Sequence, residues 1–463
     1  MIRLFRVFIP TSIIALLVSE IILVFCCFLV ATYALVPLDP TLFLLYEDGF
    51  QNIALVVASV MLGLYFQDLY TNFRIRSRIL LIQQVLLVIG IVFLFQALLA
   101  YINPRLTMPR WIMIFGCMLV LFTVPLWRLA YTSVIYKGFG VERLLFLGSN
   151  PVAREIAERF SEHPELGFIS LGFVDDIHSP GESLPGGSVL GSVNNLRQIV
   201  ADQRPDRIVV GVSERRGSLP VYDLLDLRFS GIRIVEAATT YEAAFGRVPT
   251  RELRPSQLVF SSELGPHASS LRLQTIYSIA LGLIGVILTA PVMMLVAIGV
   301  KLTSSGPILF RQKRVGMNGT PFTLYKFRSM VADAEAKTGA VWAKRDDPRV
   351  TGFGKITRRT RLDELPQLFN VIRGEMSIVG PRPERPEFVV KLSEQIPFYP
   401  QRHCVKPGIT GWAQINYKYG DTLEDTIIKL EYDLFYIKNL SPSLDAYIIF
   451  HTIKVMLSAQ SGQ

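Results

Sequence analysis

The sequence predicts a chain of three parts. These are a membrane α-helical bundle of four transmembrane helices, a cytosolic Rossmann-like α/β domain, and a mixed, mainly α-helical domain that begins with a re-entrant membrane helix. Long apolar runs open the chain, strand-like and helix-like segments alternate in the middle, and the last part is basic and rich in loops and motifs. We place the domains at residues 1–137, 138–265 and 266–463.

Four apolar runs predict the transmembrane helices, at residues 9–36, 50–69, 79–101 and 111–136. Each run reaches the roughly 20 residues that a helix needs to cross a bilayer core. Buried helices of a soluble core are the alternative, but runs of this length are more typical of membrane spans. No small-residue cleavage site follows the first run, so we interpret it as a retained span and not as a signal peptide.

The distribution of lysine and arginine predicts that the N-terminus faces the cytoplasm. The basic residues before the first run and in the second connection are Arg3, Arg6, Arg74, Arg76 and Arg78. The first connection carries no lysine or arginine, and Arg105 and Arg110 in the third are a mild violation. With an even number of spans, everything after Lys137 faces the cytoplasm as well.

The middle of the chain alternates between two patterns. The predicted strands are residues 143–147, 169–174, 206–212 and 232–236, and the predicted helices are residues 152–160, 194–202 and 221–229. Such alternation is typical of a parallel α/β domain with right-handed crossovers.

The loop after the first of these strands reads Gly148-Ser149-Asn150. A dinucleotide-binding fingerprint requires glycine where Asn150 stands, and the acidic pair Asp175-Asp176 lies further on than the usual ribose-binding carboxylate. We therefore favour a structural or regulatory domain over a nucleotide-binding one.

A fifth apolar stretch, residues 276–300, is interrupted by Pro291. Its length would allow a fifth crossing. However, Arg272 and Lys301 at its two ends both favour the cytosolic side. Proline removes one amide and clashes with the preceding helical turn, so Pro291 is the predicted break at which the helix returns.

Composition limits the function classes. Lysine and arginine number 47 against 38 acidic residues, a net charge of +9, which fits lipid headgroups or phosphorylated substrates. No basic, aromatic-interleaved nucleic-acid module is present, so we expect no nucleic-acid partner. None of the four cysteines forms a CxxC pair, so neither a zinc knuckle nor a disulfide framework is supported, and no two histidines have the spacing of metal ligands.

The segment at residues 358–388 combines adjacent carboxylates, Asp363 and Glu364, with the flanking arginines Arg358 and Arg361. Carboxylates can attack phosphorus or hold Mg²⁺, and arginines neutralise phosphate oxygens. Ordinary N-terminal helix carboxylates, ion-paired with these arginines, are the alternative.

Two helix placements fit this segment. Pro366 and Gly374 would begin and end a helix at residues 366–372, or a helix would begin with Thr360 as N-cap and kink at Pro366. Both placements put the dyad of Asp363 and Glu364 near a helix N-terminus, which favours anions.

Three further motifs flank the dyad. Lys326 and Arg328 belong to a basic run, for which a solvated charged face beside lipid is the alternative. The turn Gly380-Pro381-Arg382-Pro383 is stiff and would hold one guanidinium in place. In the turn at residues 407–412 we expect Trp412 to be exposed, and we favour a mere surface turn over a substrate contact.

The motifs together resemble the bacterial polyprenyl-phosphate sugar-1-phosphate transferases, the monotopic phosphoglycosyl transferases. The six ordered motifs are at residues 301–307, 312–316, 326–330, 362–368, 380–383 and 407–412. The four spans and the α/β domain are similar to the long form, the undecaprenyl-phosphate galactose or glucose phosphotransferases of exopolysaccharide, capsule and O-antigen synthesis.

The resemblance implies that a UDP-sugar donates a sugar-1-phosphate to undecaprenyl phosphate and releases UMP. Asp363 would be the nucleophile that forms a phosphosugar-aspartyl intermediate. Glu364 would be the second dyad carboxylate, and both would hold the cofactor Mg²⁺. The phosphate- and substrate-binding residues that the resemblance implies are Arg358, Arg361, Arg382, Lys326, Arg328 and Asp445.

The resemblance also implies a place in the bacterial inner membrane among its lipids, with the catalytic domain facing the cytoplasm. It suggests a homodimer by analogy alone. The chain departs from the family at the membrane helix, where Ala290-Pro291 replaces the usual Ser-Pro. Helix re-entry would therefore depend on the proline and on packing.

Two other functions compete. Membrane nucleotide-sugar dehydratases also join four spans to a Rossmann domain, but they need an intact glycine fingerprint and a Tyr-x-x-x-Lys pair. Here Tyr222 and Tyr241 are followed by Asp226 and Phe245. A non-enzymatic membrane scaffold or chain-length regulator is the other alternative, and it leaves the carboxylate–arginine segment unexplained.

Overall fold

The computed structural model describes residues 2–4, 6–36, 39–70, 78–132, 141–211, 219–252, 265–332, 347–417, 420 and 422–457. Contacts divide the chain into two compact units, Met1–Arg3 with Phe8–Val235, and Leu4–Val7 with Glu236–Gln463. The division falls between Val235 and Glu236, earlier than the predicted boundary at residues 265 and 266.

The first unit opens with short strands and apolar helices. Its first elements are β1 (Ile2–Leu4), β2 (Val7–Ile9), α1 (Thr11–Leu35), α2 (Pro40–Tyr46), α3 (Gly49–Phe66), α4 (Arg78–Ile102) and α5 (Arg110–Ala130). Helices α1, α3, α4 and α5 coincide with the four predicted runs. Each lies in a segment that is long and apolar enough to cross a membrane. Arg74, Arg76 and Lys137, used above for orientation, lie outside the described residues.

A buried ion pair joins α1 to α5. Arg128 donates from Nε to Glu20 Oε1 at 2.6 Å and from its NH2 group to Oε2 at 2.9 Å. Its NH1 group binds the carbonyl of Leu69, and the hydroxyl of Tyr70 donates to Glu20 at 2.5 Å. Sequence reasoning missed this pair, because the two residues lie 108 positions apart. Buried charges are costly unless they are paired, so the ion pair fixes one arrangement of the two helices.

The rest of the first unit is an α/β domain. Its elements are β3 (Glu142–Leu147), α6 (Pro151–Glu162), β4 (Phe168–Val174), β5 (Ser183–Leu184), β6 (Gly187–Gly191), α7 (Leu196–Gln203), β7 (Arg207–Val210), α8 (Val221–Phe229) and β8 (Arg233–Glu236). The strand order is β5-β6-β4-β3-β7-β8, with parallel pairing of β3 to β4 and β7 and of β4 to β6. Every predicted strand and helix is present. The antiparallel pair β5–β6, which makes the sheet mixed, was missed.

The loop after β3 differs from a pyrophosphate-binding loop. The side chain of Asn150 accepts a hydrogen bond from the amide of Ala153 at 2.8 Å and so caps α6. A bound phosphate would need amides at this helix end. The side chain of Asn150 already occupies one of them, which fits the preference for a structural or regulatory domain.

The second unit contains a long helix and several shorter elements. Its elements are α9 (Ala237–Phe245), α10 (Ala268–Thr303), β9 (Leu309–Val315), β10 (Pro321–Phe327), α11 (Gly352–Arg359), α12 (Gln367–Ile372), β11 (Ser377–Val379), α13 (Pro386–Gln395), β12 (Gly408–Thr410), α14 (Trp412–Asn416), α15 (Leu423–Lys438) and α16 (Pro442–Leu457). Strands β9 and β10 are antiparallel, and β11 and β12 are parallel.

Helix α10 has 36 residues, and its composition and length would also allow it to cross a membrane. Residues on both sides of Pro291 are helical, so Pro291 lies inside the helix and does not end it. Glycines let other elements approach closely. A Cβ at Gly299 would lie 2.4 Å from the ring of Phe353 in α11, and one at Gly282 would lie 3.2 Å from Val371 in α12.

Candidate active site

The dyad lies in a tight turn between two helices. Helix α11 ends at Arg359, Arg361 adopts a left-handed conformation with φ of 58°, and Leu362–Glu364 form a single 3₁₀ turn. Pro366 precedes α12, and Gly374 follows it with φ of 76°. The first predicted helix placement is therefore confirmed, and the helix beginning at Thr360 is wrong, since Thr360 is the C-cap of α11. A positive φ at a residue with a side chain is strained and is common at functional sites.

Hydrophobic residues on either side of the dyad fix it to α10. Leu362 and Leu365 pack in a cluster with Val296 of α10, and a Cβ at Gly285 would lie 3.3 Å from Leu368. The residues that flank both carboxylates thus contact the apolar helix directly. This packing holds the dyad beside a segment with the composition of a membrane helix.

Three cations surround Glu364. Its Oε1 atom lies 2.9 Å from Lys326 Nζ, 3.2 Å from the NH2 group of Arg382 and 3.8 Å from the NH1 group of Arg361. Burial alone would raise the pKa of Glu364, but these three charges outweigh it and hold the pKa well below its ordinary value. Glu364 is therefore a fixed anion that gathers residues from β10, the turn itself and the Pro-Arg-Pro motif.

The carboxylate of Asp363 differs from that of Glu364 in its contacts and in the direction of its pKa shift. It is 7% exposed, and its Oδ1 atom is buried without a hydrogen-bond partner among the described residues. Burial and the adjacent charge of Glu364 raise its pKa, whereas Lys326, Arg358 and Arg361 oppose that rise. A desolvated carboxylate with an unoccupied oxygen lone pair is a better nucleophile than one that is hydrogen-bonded on all sides.

Two further arginines predicted for the site, Arg358 and Arg328, contact groups outside the dyad. Arg358 donates from Nε to Ser329 Oγ at 2.9 Å, close enough to the dyad for its charge to lower the pKa of Asp363. Arg328 is buried and binds the carbonyl and hydroxyl of Ser304, the residue that ends α10. A cation at a helix C-terminus is favourable, so the structure places Arg328 as a cap of α10.

Asp445 belongs to another cluster. Its carboxylate accepts hydrogen bonds from Gln274 and Tyr277 of α10 and from Tyr436 of α15. The hydroxyl of Tyr436 also lies 3.3 Å from the carbonyl of Val379, the last residue of β11. The structure therefore gives Asp445 the role of joining α16 to α10 and to the strand that leads to Arg382.

Trp412 was expected to be exposed, and that expectation is wrong. Its side chain is 4% exposed, stacks on Phe435, and donates from Nε1 to the carbonyl of Gly246 at 2.7 Å. The indole is buried because the segment after α9, residues 246–252, packs on this face of the domain. Such a long-range cover leaves no signal in the local sequence around Trp412.

Asn370 was also missed. It is fully buried on α12, where its Oδ1 accepts from the amide of Tyr325 at 3.1 Å and its Nδ2 donates to the carbonyl of Thr323 at 2.7 Å. These bonds fix α12 to β10 and so set Lys326 opposite Glu364. A polar residue on the buried face of a short helix is the signal that could have found it.

The residues of the dyad fit Mg²⁺. Magnesium usually takes one or two carboxylates together with waters and substrate phosphates. Asp363 offers an oxygen without a partner, and Glu364 is an adjacent ionised carboxylate. In the described part of the chain, no group of three or more His, Cys, Asp or Glu side chains could hold a metal, which excludes an all-protein cage there.

Comparison with known proteins relates two parts of the chain to known families. The model of the bacterial sugar transferase family matches residues 269–459, and that of a CoA-binding domain matches residues 65–216. The N-acetylgalactosaminephosphotransferase of Aeromonas hydrophila, which acts on undecaprenyl phosphate, is 44% identical over 217 residues, 47% of this chain and 50% of that protein.

Two longer matches are glucose-1-phosphate transferases named for UDP-glucose and undecaprenyl phosphate. The Klebsiella pneumoniae protein is 38% identical and the Escherichia coli K12 protein 35% identical, each over 324 residues, 68% of both chains. This chain thus matches half of the Aeromonas relative and about two thirds of the other two. The chain belongs to the bacterial sugar transferase family, whose members include the undecaprenyl-phosphate sugar-1-phosphate transferases.

Proposed function

We propose that this protein transfers a sugar-1-phosphate from a UDP-sugar to undecaprenyl phosphate and releases UMP. The observation that carries the proposal is the dyad: a desolvated Asp363 with an unoccupied oxygen beside a Glu364 that three cations hold ionised. The names of the relatives supply the two substrate classes.

The chemistry proceeds in two displacements at one phosphorus. Asp363 Oδ1 attacks the β-phosphorus of the UDP-sugar, the bond to the bridging oxygen breaks, and the electron pair leaves with UMP. The product is a phosphosugar joined to the aspartyl carboxylate. An oxygen of undecaprenyl phosphate then attacks the same phosphorus, and the carboxylate of Asp363 leaves.

The surrounding residues orient this reaction and balance its charge. Arg382, Lys326 and Arg361 contact the dyad through Glu364, and Arg358 supports the Asp363 anion. Their charges would neutralise the phosphate oxygens as charge moves to the leaving group. Mg²⁺ bound by Asp363 and Glu364 would neutralise the diphosphate of the donor.

We further propose that α10 enters the inner membrane and returns, with a bend at Pro291 and not an interruption. The catalytic unit then faces the cytoplasm, where UDP-sugars are. The packing of Leu362 and Leu365 on α10 supports this arrangement, because with α10 in the membrane it would keep Asp363 near the headgroup plane, where a lipid phosphate lies. The four helices α1, α3, α4 and α5 would span the membrane, and the homodimer stays a proposal by analogy.

The test of the function uses the purified protein, undecaprenyl phosphate, and UDP-N-acetylgalactosamine and UDP-glucose as separate donors. UMP release is measured, and incorporation of radioactive phosphosugar into the protein is measured without lipid. We expect Asp363→Asn to abolish both while the melting temperature stays unchanged within a few degrees. Asp425→Asn is the matched control, because Asp425 caps α15 and lies outside the dyad.

An active Asp363→Asn protein, confirmed free of deamidation, would refute the nucleophile. A wild-type protein that releases no UMP from any donor but dehydrates a UDP-sugar would instead support the dehydratase alternative.

A further inference from the structure

The turn that carries Arg382 is held by its carbonyl groups. Pro381 and Pro383 have no backbone N–H, so the segment Pro381-Arg382-Pro383-Glu384, which we call the arginine arch, offers more acceptors than donors. Buried carbonyls of this kind need donors from other parts of the chain.

Four different groups supply these donors, one for each successive carbonyl. The amide of Gly408 donates to Pro381 at 3.0 Å, and the amide of Val315 donates to Glu384 at 2.9 Å. The two carbonyls between them are bound by side chains. Arg402 binds the carbonyl of Arg382 at 3.1 Å, and Arg314 binds that of Pro383 at 2.9 Å.

Arg402 is itself fixed in three directions. Its NH2 group donates to Asp433 Oδ2 at 2.8 Å, its Nε to the same oxygen at 3.0 Å, and its NH1 group to the hydroxyl of Tyr399 at 2.9 Å. Arg402, Asp433 and Tyr399 are all less than 8% exposed. A buried guanidinium with all its branches occupied cannot reach a substrate, but it can hold the carbonyl of Arg382 rigidly.

The consequence concerns the guanidinium of Arg382. Its NH2 group lies 3.2 Å from Glu364, and a third of its side chain is exposed. A side chain of this length reaches a fixed point reliably only when its own backbone is fixed. Misplacement of a reacting or binding group by about 1 Å can cost about a hundredfold in rate.

We propose that Arg402 is a positioning residue, which fixes the backbone of Arg382 and so aims the guanidinium of Arg382 at the diphosphate of the donor. The role of Arg382 toward the donor rests on the proposed function. Arg402 acts only through Arg382 and does not contact the substrate. Arg314 has the same role at the neighbouring carbonyl, from strand β9.

The test is a double-mutant cycle in the full-length protein. Arg402→Lys keeps a cation beside Asp433 but loses the planar fork that reaches Asp433, Tyr399 and Arg382 together. We expect it to lower kcat/KM for the UDP-sugar about tenfold to a hundredfold. In an Arg382→Lys background the same change should lower kcat/KM less than about threefold, because the guanidinium that Arg402 positions is already absent.

Arg247→Lys is the matched control, because Arg247 pairs with Glu431, and Glu431 lies on the same helix as Asp433, α15. Its effect should be equal in both backgrounds. Equal losses for Arg402→Lys in both backgrounds would overturn the proposal, as would an unchanged kcat/KM. If Arg402→Lys fails to fold, Arg314→Lys is tested in the same cycle against the carbonyl of Pro383.

The affinity for UDP, measured by calorimetry, separates this proposal from the proposed function. A wild-type protein that binds UDP but transfers no phosphosugar would refute the function. In that case, the positioning role is still supported if Arg402→Lys lowers the affinity for UDP in the wild-type background but not in the Arg382→Lys background. Equal losses of affinity in both backgrounds would refute that role.

Discussion

At the residue scale, the two adjacent carboxylates of the dyad have different surroundings, and this difference suits them to different tasks. Glu364 binds the cations, and Asp363 keeps one oxygen without a partner. Two of the cations beside Glu364, Lys326 and Arg361, also limit the rise in the pKa of Asp363, so Asp363 and the charge cluster are electrostatically coupled.

Lys326 gives a test of that coupling. Lys326→Met removes a charge that lowers the pKa of both Asp363 and Glu364, so both pKa values should rise. Because attack requires ionised Asp363, the acidic limb of the kcat/KM profile should move to higher pH. At neutral pH kcat/KM should fall by about tenfold or more.

The control for this profile is Lys355→Met, which removes an exposed lysine from α11. Its acidic limb should coincide with that of the wild type. An unmoved limb in Lys326→Met would contradict the assignment of Asp363 as the titrating nucleophile.

The sequence predicted the dyad and the charged residues around it, but not the long-range contacts that hold them in place, for a physical reason. Adjacent carboxylates before a proline form a local pattern, and local patterns can be read from neighbouring residues. The donors that hold Arg382, the cover over Trp412 and the partner of Glu20 come from distant segments. Such contacts depend on the whole fold, and no spacing rule encodes them.

At the element scale, the buried pair of Glu20 and Arg128 predicts that the effects of two substitutions on the free energy of unfolding do not add. Arg128→Met leaves Glu20 buried without its main partner and should cost about 3–5 kcal/mol. The double variant Glu20→Gln, Arg128→Met removes both charges and should be more stable than Arg128→Met alone. Thermal unfolding in detergent measures both, and a double variant less stable than Arg128→Met would contradict this account.

The segment between β8 and α10 predicts where a truncated chain can begin. Gly246 and Thr250 bind Trp412 and Glu431, Val248 is 1% exposed, and Lys438 pairs with Glu242 at 3.0 Å. A chain that begins at Glu236 should therefore retain its melting temperature and its UMP release. A chain that begins at His267 exposes the indole of Trp412 and leaves Glu431 without Thr250, so it should unfold earlier.

Both truncated chains keep every proposed site residue. A difference between their melting temperatures therefore reflects only the loss of the segment that covers Trp412 and Glu431. Equal melting temperatures would show that residues 236–252 are dispensable. The predicted domain boundary at 265 and 266 would then describe the catalytic unit better than the contacts do.

At the scale of the whole molecule, the decisive question is the path of α10. The helix has 36 residues, about 54 Å at 1.5 Å per residue, which is more than one bilayer crossing needs. The dyad turn packs on it near Val296, beyond Pro291. A crossing helix would place the dyad on the side opposite to Ser269, whereas a returning helix keeps both on the cytoplasmic side.

Single cysteines at Ser269 and Ser305, both exposed, distinguish the two paths. They are introduced with Cys26, Cys27, Cys117 and Cys404 replaced, and they are labelled with a membrane-impermeant reagent in intact cells and in inverted vesicles. We expect both to react only in inverted vesicles. Labelling of the two cysteines from opposite sides would show that α10 crosses the membrane.

Pro291→Leu restores the backbone amide and removes the clash with the preceding turn, so it should straighten α10. Part of the population should then show opposite-side labelling, and UMP release should fall in proportion. Ala290→Leu is the control, since it adds apolar bulk beside the bend without restoring an amide, and it should leave the labelling pattern unchanged.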